Sequence, residues 1–312
     1  REKIALFCNV KKEHVLQNLD APSLYEVPIM LEEEHLAQAV CDCLHLPCPK
    51  PNLRDWMEML DNMKAASKAV DIAIVGKYVA LHDAYLSVAE ALKHGGIANR
   101  VNVNIHWIEA EEIKKENVHE FLNDMDGILV PGGFGRRGTE GKIEAIRFAR
   151  EQEIPYLGIC LGMQLAIVEF CKNVLGIADA ASIELVPETD NPVISLMPEQ
   201  NEVEDIGGTL RLGAYPCELK SGSLAEKLYE KSNISERHRH RYEVNNDYRT
   251  CLEEKGMVLS GLSPDKRIVE MIELPSHPFF IATQAHPEFK SRQNLRHPLF
   301  KGFWAAASRR VE

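Results

Sequence analysis

Hydrophobic positions along this chain change period several times, and the changes mark its elements. Residues 4–10 form an apolar run that reads as a strand, and residues 31–46 carry helical spacing up to the proline-broken Pro47-Cys48-Pro49-Lys50-Pro51. Leu53, Trp56, Met57, Leu60 and Met63 recur at helical spacing. They predict an amphipathic helix that packs on the chain's own body or, alternatively, on a partner. From Asp71 strands and helices alternate: a strand at 72–75, a helix near 85–93, a strand at 101–108 and a helix around 111–122. Strands at 126–130 and 154–157 follow, the second leading into helical spacing over 163–170. That rhythm predicts an α/β fold with an open, mostly parallel sheet and helices on both faces. Beyond Glu184 the pattern turns strand-rich and irregular, through 210–212, 268–272 and 279–283, and helical character returns at 299–306.

Sites in such folds lie beyond the carboxyl ends of the strands. There stands Gly158-Ile159-Cys160-Leu161-Gly162, between a predicted strand and a predicted helix. Gly-x-Cys-x-Gly in that context is the thiol form of a nucleophile elbow, whose turn is too tight for bulk two residues either side of the nucleophile. It sets a sulfur at a helix N-terminus, where aligned peptide dipoles favour thiolate. Taken alone, the pentapeptide equally describes a buried structural cysteine between packing glycines.

A nucleophile needs a base, and Gln284-Ala285-His286-Pro287-Glu288 follows the strand predicted at 279–283. Pro287 biases His286 towards an extended conformation, in which Glu288 falls on the same side as His286 and can orient its ring. A surface His-Pro-Glu turn is the plainer alternative, but the pairing with the elbow favours a triad of Cys160, His286 and Glu288. Pro131-Gly132-Gly133-Phe134-Gly135-Arg136-Arg137-Gly138 follows the strand at 126–130. The N–H of Gly133 with that of Leu161 would make a two-donor oxyanion hole. The same stretch matches the dinucleotide fingerprint G-x-G-x-x-G, but the following strand ends in Gly158-Ile159-Cys160 without the required carboxylate, so the nicotinamide reading falls.

Pro131-Gly132-Gly133-Phe134-Gly135, Gly158-Ile159-Cys160-Leu161-Gly162-Met163-Gln164 and His286-Pro287-Glu288, in that order, resemble class I (triad) glutamine amidotransferases. Ile74-Val75-Gly76-Lys77-Tyr78, Ala91-Leu92-Lys93-His94-Gly95-Gly96, Gly207-Gly208-Thr209-Leu210-Arg211-Leu212-Gly213 and Glu236-Arg237-His238-Arg239-His240-Arg241-Tyr242-Glu243-Val244-Asn245 narrow the resemblance to the CTP synthase family. Lys3-Ile4-Ala5-Leu6-Phe7-Cys8-Asn9-Val10 and Ser23-Leu24-Tyr25-Glu26-Val27-Pro28 resemble the end of that family's synthase domain. The resemblance implies residues 1–50 as a tail of the amidoligase (synthase) domain, 51–68 as a linker with an amphipathic helix, and 69–312 as a glutaminase domain of flavodoxin-like fold. No Gly-x-x-x-x-Gly-Lys-Ser/Thr occurs here. The expectation is therefore a C-terminal piece that hydrolyses glutamine slowly, responds weakly to GTP and makes no CTP.

The resemblance further implies the roles. Cys160 attacks the carboxamide of L-glutamine, Gly133 and Leu161 hold the oxyanion, and His286, oriented by Glu288, moves the protons through a thioester intermediate. Gly133, Gln164, Glu184 and Arg241 bind the substrate, with Arg241 on the α-carboxylate and Glu184 on the α-ammonium. Arg237, Arg239 and Arg241 alternate to one side of a strand, only one of them can clamp the substrate, and a solvated basic strand or an anion patch is the alternative. Phe134 and Arg137 match positions linked to the activator GTP, with loop packing as the alternative. No cofactor is expected for glutamine hydrolysis. ATP and Mg belong to the synthase domain, where ammonia converts UTP to CTP in an enzyme expected to be a homotetramer. Two stretches depart from the family: Ala181-Ser182-Ile183-Glu184-Leu185 replaces Asn-Ser-Thr-Glu-Phe, and Ala285 precedes His286 where the family has an aromatic or otherwise variable residue.

Composition adjusts this picture little. With 312 residues, 45% hydrophobic, a sizeable core is expected, and a net charge of −11 argues against nucleic acid as a partner. No signal peptide or membrane-spanning run is seen, which predicts a cytoplasmic protein with no membrane partner whose eight cysteines stay reduced. Cys41, Cys43 and Cys48 fit no familiar zinc spacing, and no metal is expected. Two other functions stay open: another cysteine hydrolase such as a γ-glutamyl hydrolase or a class I protease, and a catalytically idle regulatory or assembly module.

Overall fold

Alternation within the predicted strands sorts the core into two layers. The computed structural model describes residues 1–196 and 210–311. It divides into two compact units, Arg1–Ala65 and Ala66–Glu312.

The first unit is helical: α1 (Glu2–Cys8), α2 (Val27–Glu33), α3 (Leu36–Leu44) and α4 (Arg54–Lys64). Residues 4–10, expected as a strand, instead lie mostly in α1, which Asn9 ends in the left-handed conformation at φ 53°. A short apolar run satisfies strand and helix patterns alike, and here the backbone groups bond locally, Ala5 N–H to the Arg1 carbonyl at 2.9 Å. The single helix expected over 31–46 is two, broken where His35 turns to φ 63°. The predicted amphipathic helix is α4, and Trp56 ties it to the turn before α2 by donating to the Tyr25 carbonyl at 2.7 Å.

The second unit holds strands β1 (Lys68–Gly76), β2 (Val101–Glu109), β3 (Gly127–Val130), β4 (Tyr156–Ile159), β5 (Ala181–Ser182), β6 (Pro192–Leu196), β7 (Arg211–Leu219), β8 (Asn233–His240), β9 (Tyr242–Val244), β10 (Val258–Leu262), β11 (Val269–Glu273) and β12 (Phe280–Thr283). Its helices are α5 (Leu86–Asn99), α6 (Val118–Leu122), α7 (Thr139–Glu151), α8 (Leu161–Asn173), α9 (Leu224–Tyr229), α10 (Arg249–Glu254) and α11 (Pro298–Ser308). The main sheet runs β2-β1-β3-β4-β12-β11-β10-β7-β8. Its first five strands pair parallel and carry the α/β rhythm, and the remainder pair antiparallel, the strand-rich region expected past Glu184. A small second sheet, β5-β6-β9, flanks them.

Side chains of β1, β3 and β4 alternate between the two faces. Ala73, Val75, Ile128, Val130 and Tyr156 pack with α7 and α8, whereas Ile72, Ile74, Leu129, Leu157 and Ile159 pack with α5 and α11. The helix expected around 111–122 shrinks to α6, preceded by a 3₁₀ turn at Ala110–Glu112. Of the segment 207–213, Gly207, Gly208 and Thr209 lie outside the described residues. Among the described residues no helix is long and apolar enough to cross a membrane.

Candidate active site

The parallel pairing of β4 with β12 brings together residues more than 120 positions apart. Ile159 stands opposite Thr283, and the Cys160 N–H donates to the Thr283 carbonyl at 2.7 Å. Cys160 is therefore the first residue past β4 and the N-cap of α8, at φ 52° and ψ −104°. A non-glycine residue held there is strained, and such strain concentrates at functional turns. The elbow glycines are required by space. A Cβ on Gly158 would stand 2.8 Å from the Ala282 Cβ, and one on Gly162 would stand 2.2 Å from the Val130 carbonyl oxygen.

Three residues beyond Thr283, His286 reaches the same cleft. Its N–H donates to the Arg237 carbonyl at 2.7 Å, its ring stacks on Phe289, and its Nδ1–H donates to Glu288 Oε1 at 2.7 Å. The extended chain expected through Pro287 is replaced by a 3₁₀ turn, Pro287–Phe289, which curls the carboxylate under the ring instead of placing it two along a strand. Burial works against the imidazolium, but hydrogen bonding and charge from Cys160 and Glu288 outweigh it and raise His286 to about 10. Nε2 makes no well-aligned hydrogen bond among the described residues, a looseness common in unliganded sites. The site thus favours the imidazolium form of His286 beside Cys160 and Glu288.

The glycine loop after β3 closes one side. A Cβ on Gly132 would lie 2.9 Å from His286 Cε1 and 3.5 Å from the Cys160 Cβ, so only glycine lets the loop pass. At Gly133 the same position is 3.5 Å from Leu161 Cδ2, so the loop packs on the first residue of α8. Leu161 opens α8, where first-turn N–H groups have no helical acceptor. Behind the loop, Lys142 is fully buried, and its Nζ is 3.8 Å from the Gly133 Cβ position, with no hydrogen-bond partner among the described residues. Burial, helped by the neighbouring charge of Lys77, lowers it to about 8.

Cys160, His286, Glu288, Gly132, Gly133 and Phe134 line a cleft of about 210 Å³, bounded opposite by Asp83–Val88 and by Arg239. That is below the roughly 300–1,000 Å³ of drug-sized sites and suits an amino-acid-sized substrate. The other expected recognition residues, Gln164, Glu184 and Arg241, are not among those lining this cleft. Gln164, one helical turn after Cys160, donates to the Tyr242 carbonyl at 3.1 Å, while Glu184 and Arg241 both act electrostatically on Tyr242. Glu184 accepts the Gly135 N–H at 2.8 Å, a tie from the small sheet to the glycine loop. Arg241 sits between β8 and β9. Phe134 is 45% exposed, with the Arg239 guanidinium 5.7 Å from its ring centroid. Arg137 donates to the Lys77 carbonyl and pairs with Glu111 at 3.3 Å.

Four residues at the site carried no assignment from sequence: Gln284, Arg239, Tyr242 and Lys142. Arg239 was visible as one member of the alternating arginine set, and β8 does turn Arg237 and Arg239 outward while His238 and His240 are buried. Gln284 was visible only as a neighbour of the base. Nothing marked Lys142, whose place depends on α7 packing behind the loop. Among the described residues, no group of three His, Cys, Asp or Glu side chains stands so as to hold a metal ion.

Residues 80–306 match the family model described as glutamine amidotransferase class-I, and residues 1–46 match the CTP synthase N-terminus. The chain is 57% identical over 310 residues to a CTP synthase of Halalkalibacterium halodurans, covering 99% of this chain and 58% of that protein. It is 58% identical over 311 residues to a CTP synthase of Pelotomaculum thermopropionicum, again covering 58% of that protein. The chain thus spans little more than half the length of the curated relatives it matches. Among solved structures it resembles the glutaminase domain of Trypanosoma brucei CTPS with bound acivicin, at a TM-score of 0.73 and 38% identity, covering 77% of this chain and 94% of that one. The chain belongs to the glutamine amidotransferase class-I family.

Proposed function

We propose that Cys160, His286 and Glu288 are the residues that hydrolyse glutamine. The supporting observation is their convergence in one cleft, with Cys160 held at a strained elbow and His286 poised as an imidazolium. Sγ attacks the side-chain carboxamide carbon of glutamine, and the N–H groups of Gly133 and Leu161 receive the oxyanion. His286 gives its proton to the departing nitrogen as the C–N bond breaks, releasing ammonia and leaving a thioester. Water, deprotonated by His286, then cleaves the thioester to glutamate and frees the thiolate, while Glu288 keeps the ring oriented. Gln164, Glu184 and Arg241 bind the amino-acid end, Arg241 forking onto the α-carboxylate.

In the longer protein the ammonia aminates UTP, activated by ATP with Mg in a synthase domain, to yield CTP. A shielded route suits that chemistry, because ammonia in neutral water is mostly non-nucleophilic ammonium. The similarity of residues 1–46 to the CTP synthase N-terminus supports this reading. GTP would act at Phe134 and Arg137. The exposed Phe134 ring offers a stacking face for a purine, and Arg239 above it offers a charge for phosphate. We propose that the full-length enzyme is a cytoplasmic homotetramer.

Labelling with a glutamine-like electrophile, followed by peptide mass spectrometry, tests the assignment. One equivalent on Cys160, protected by glutamine, is the expected result. Burial pushes Cys171 up to about 12 and Cys217 higher still, so neither competes. Scattered labelling of Cys8 and Cys43 with Cys160 untouched would remove Cys160 from the chemistry.

A further inference from the structure

Gln284 is fully buried between β12 and the base, and its amide bridges two residues on which the proposed chemistry depends. Its Oε1 accepts from Gln164 Nε2 at 3.1 Å, and its own Nε2 donates to Cys160 Sγ at 3.5 Å. The orientation is not arbitrary. An amide nitrogen only donates, and Gln164 Nε2 faces two carbonyl oxygens, those of Tyr242 and Gln284. With its oxygen committed to Gln164, Gln284 must turn its nitrogen towards the sulfur. Gln164 in turn presents its own carbonyl oxygen as the atom it can offer to a substrate ammonium. Backbone pairing anchors the latch, since the Gln284 N–H donates to the Glu270 carbonyl at 2.8 Å.

We propose that Gln284 is a positioning residue that couples substrate recognition to the nucleophile. One end of its amide fixes the orientation of Gln164, and the other stabilises sulfur as thiolate and holds it on the cleft side of the elbow. The inference rests on the reading of Cys160 as nucleophile and Gln164 as a substrate contact. It adds a residue that touches neither substrate nor leaving group.

Two substitutions separate the halves of the latch. Gln284→Glu keeps an acceptor for Gln164 and removes the donor to sulfur, whereas Gln284→Met preserves volume and removes both. The pH profile of Cys160 alkylation by iodoacetamide, read by mass spectrometry, needs no turnover. Its midpoint should rise by about one unit in both variants, because a hydrogen bond to the charged form favours that form. KM for glutamine should rise about tenfold in Gln284→Met and stay within about threefold of wild type in Gln284→Glu. An unmoved alkylation profile in both variants, or an equal rise of KM in the two, would overturn the proposal. Should Gln284→Met lose its cooperative thermal transition, the alkylation profile of Gln284→Glu alone decides. Failure of the parent reading looks different: the wild-type protein would then show no preferential alkylation of Cys160.

Discussion

The proposed reacting groups and the proposed recognition groups of this domain are held by different kinds of structure. Cys160 and the approach to His286 grow from the ends of β4 and β12, whose residues Tyr156, Leu157, Ile159, Ile281, Ala282 and Thr283 are all fully buried. Glu184 and Arg241 hang from the small sheet. Glu184 follows the two-residue β5, which pairs irregularly with β6, and Arg241 links β8 to the three-residue β9. Chemistry that tolerates little misplacement sits on packed strands, and binding that tolerates more sits on short ones. Polar ties between the two regions include Gln164 to the Tyr242 carbonyl and Glu184 to the Gly135 N–H. Substitutions at the strand ends should therefore lower kcat, and substitutions on the small sheet should raise KM.

The hardest test of that division is Glu288→Gln. The carboxamide keeps the shape but removes the charge that holds the imidazolium, so kcat should fall about 100-fold or more with KM little changed. The same variant carries a pH signature. His286 at about 10 in the folded protein lies above its ordinary value of 6.5. Its contribution to stability is therefore complete below about pH 6.5 and lost as pH rises through 10. In Glu288→Gln the histidine NMR titration should move down from about 10, and the alkaline loss of stability should become smaller and end at lower pH. A large change in KM with kcat intact would break the division at its firmer end.

Arg241→Ala probes the other end. Loss of a charge-assisted fork on the α-carboxylate should raise KM for glutamine about 10- to 100-fold while kcat at saturation changes little. An unchanged KM would pass the carboxylate-binding role to Arg239, which lines the cleft directly.

These two ends were not equally legible in the chain. The elbow and the His-Pro-Glu turn were readable because each packs its requirements into five contiguous residues: glycines where a Cβ collides, and a base with its orienter two positions on. Their meeting was readable only as a wager, since the β4–β12 register that joins them is a property of the sheet. The short helices failed for a local reason. Residues 4–10 are apolar without a decisive period, and neither a strand nor a helix is excluded until backbone partners are known. Gln284 and Lys142 were invisible because their roles depend on what lies across the core. The 3₁₀ turn at Pro287 reached the expected His286–Glu288 contact by a route that strand alternation did not predict.

Glu184→Gln should have a smaller effect than Arg241→Ala. The carboxylate is already half committed to the Gly135 N–H, a bond the amide oxygen of glutamine can still accept. What is lost is its charge towards the substrate ammonium, so KM should rise about three- to tenfold. Glu184→Ala should do more, because it also frees the glycine loop. If Gln and Ala at this position behave alike, the loop tie carries no weight, and the small sheet contributes charge alone.

The smallest effect on activity and the sharpest on stability are expected at Lys142, which belongs to neither end. Its ammonium is fully buried behind Gly133, with Lys77 nearby and no hydrogen bond among the described residues. Folding takes this lysine from an ordinary value of 10.5 to about 8. Below pH 8 it is charged in both states, and the folded protein bears the whole cost, of order 3 kcal/mol. Between pH 8 and 10.5 the folded state releases the proton that the unfolded state still holds, so stability rises with pH and the cost fades. Lys142→Met fills the same space without a charge. It should raise the urea midpoint at pH 7 and give little gain at pH 10.5, with kcat/KM within about threefold of wild type. If instead kcat drops tenfold or more while KM holds, the buried ammonium is supporting the oxyanion through the Gly133 peptide. The boundary of the reacting region would then have to be redrawn one layer deeper, through α7.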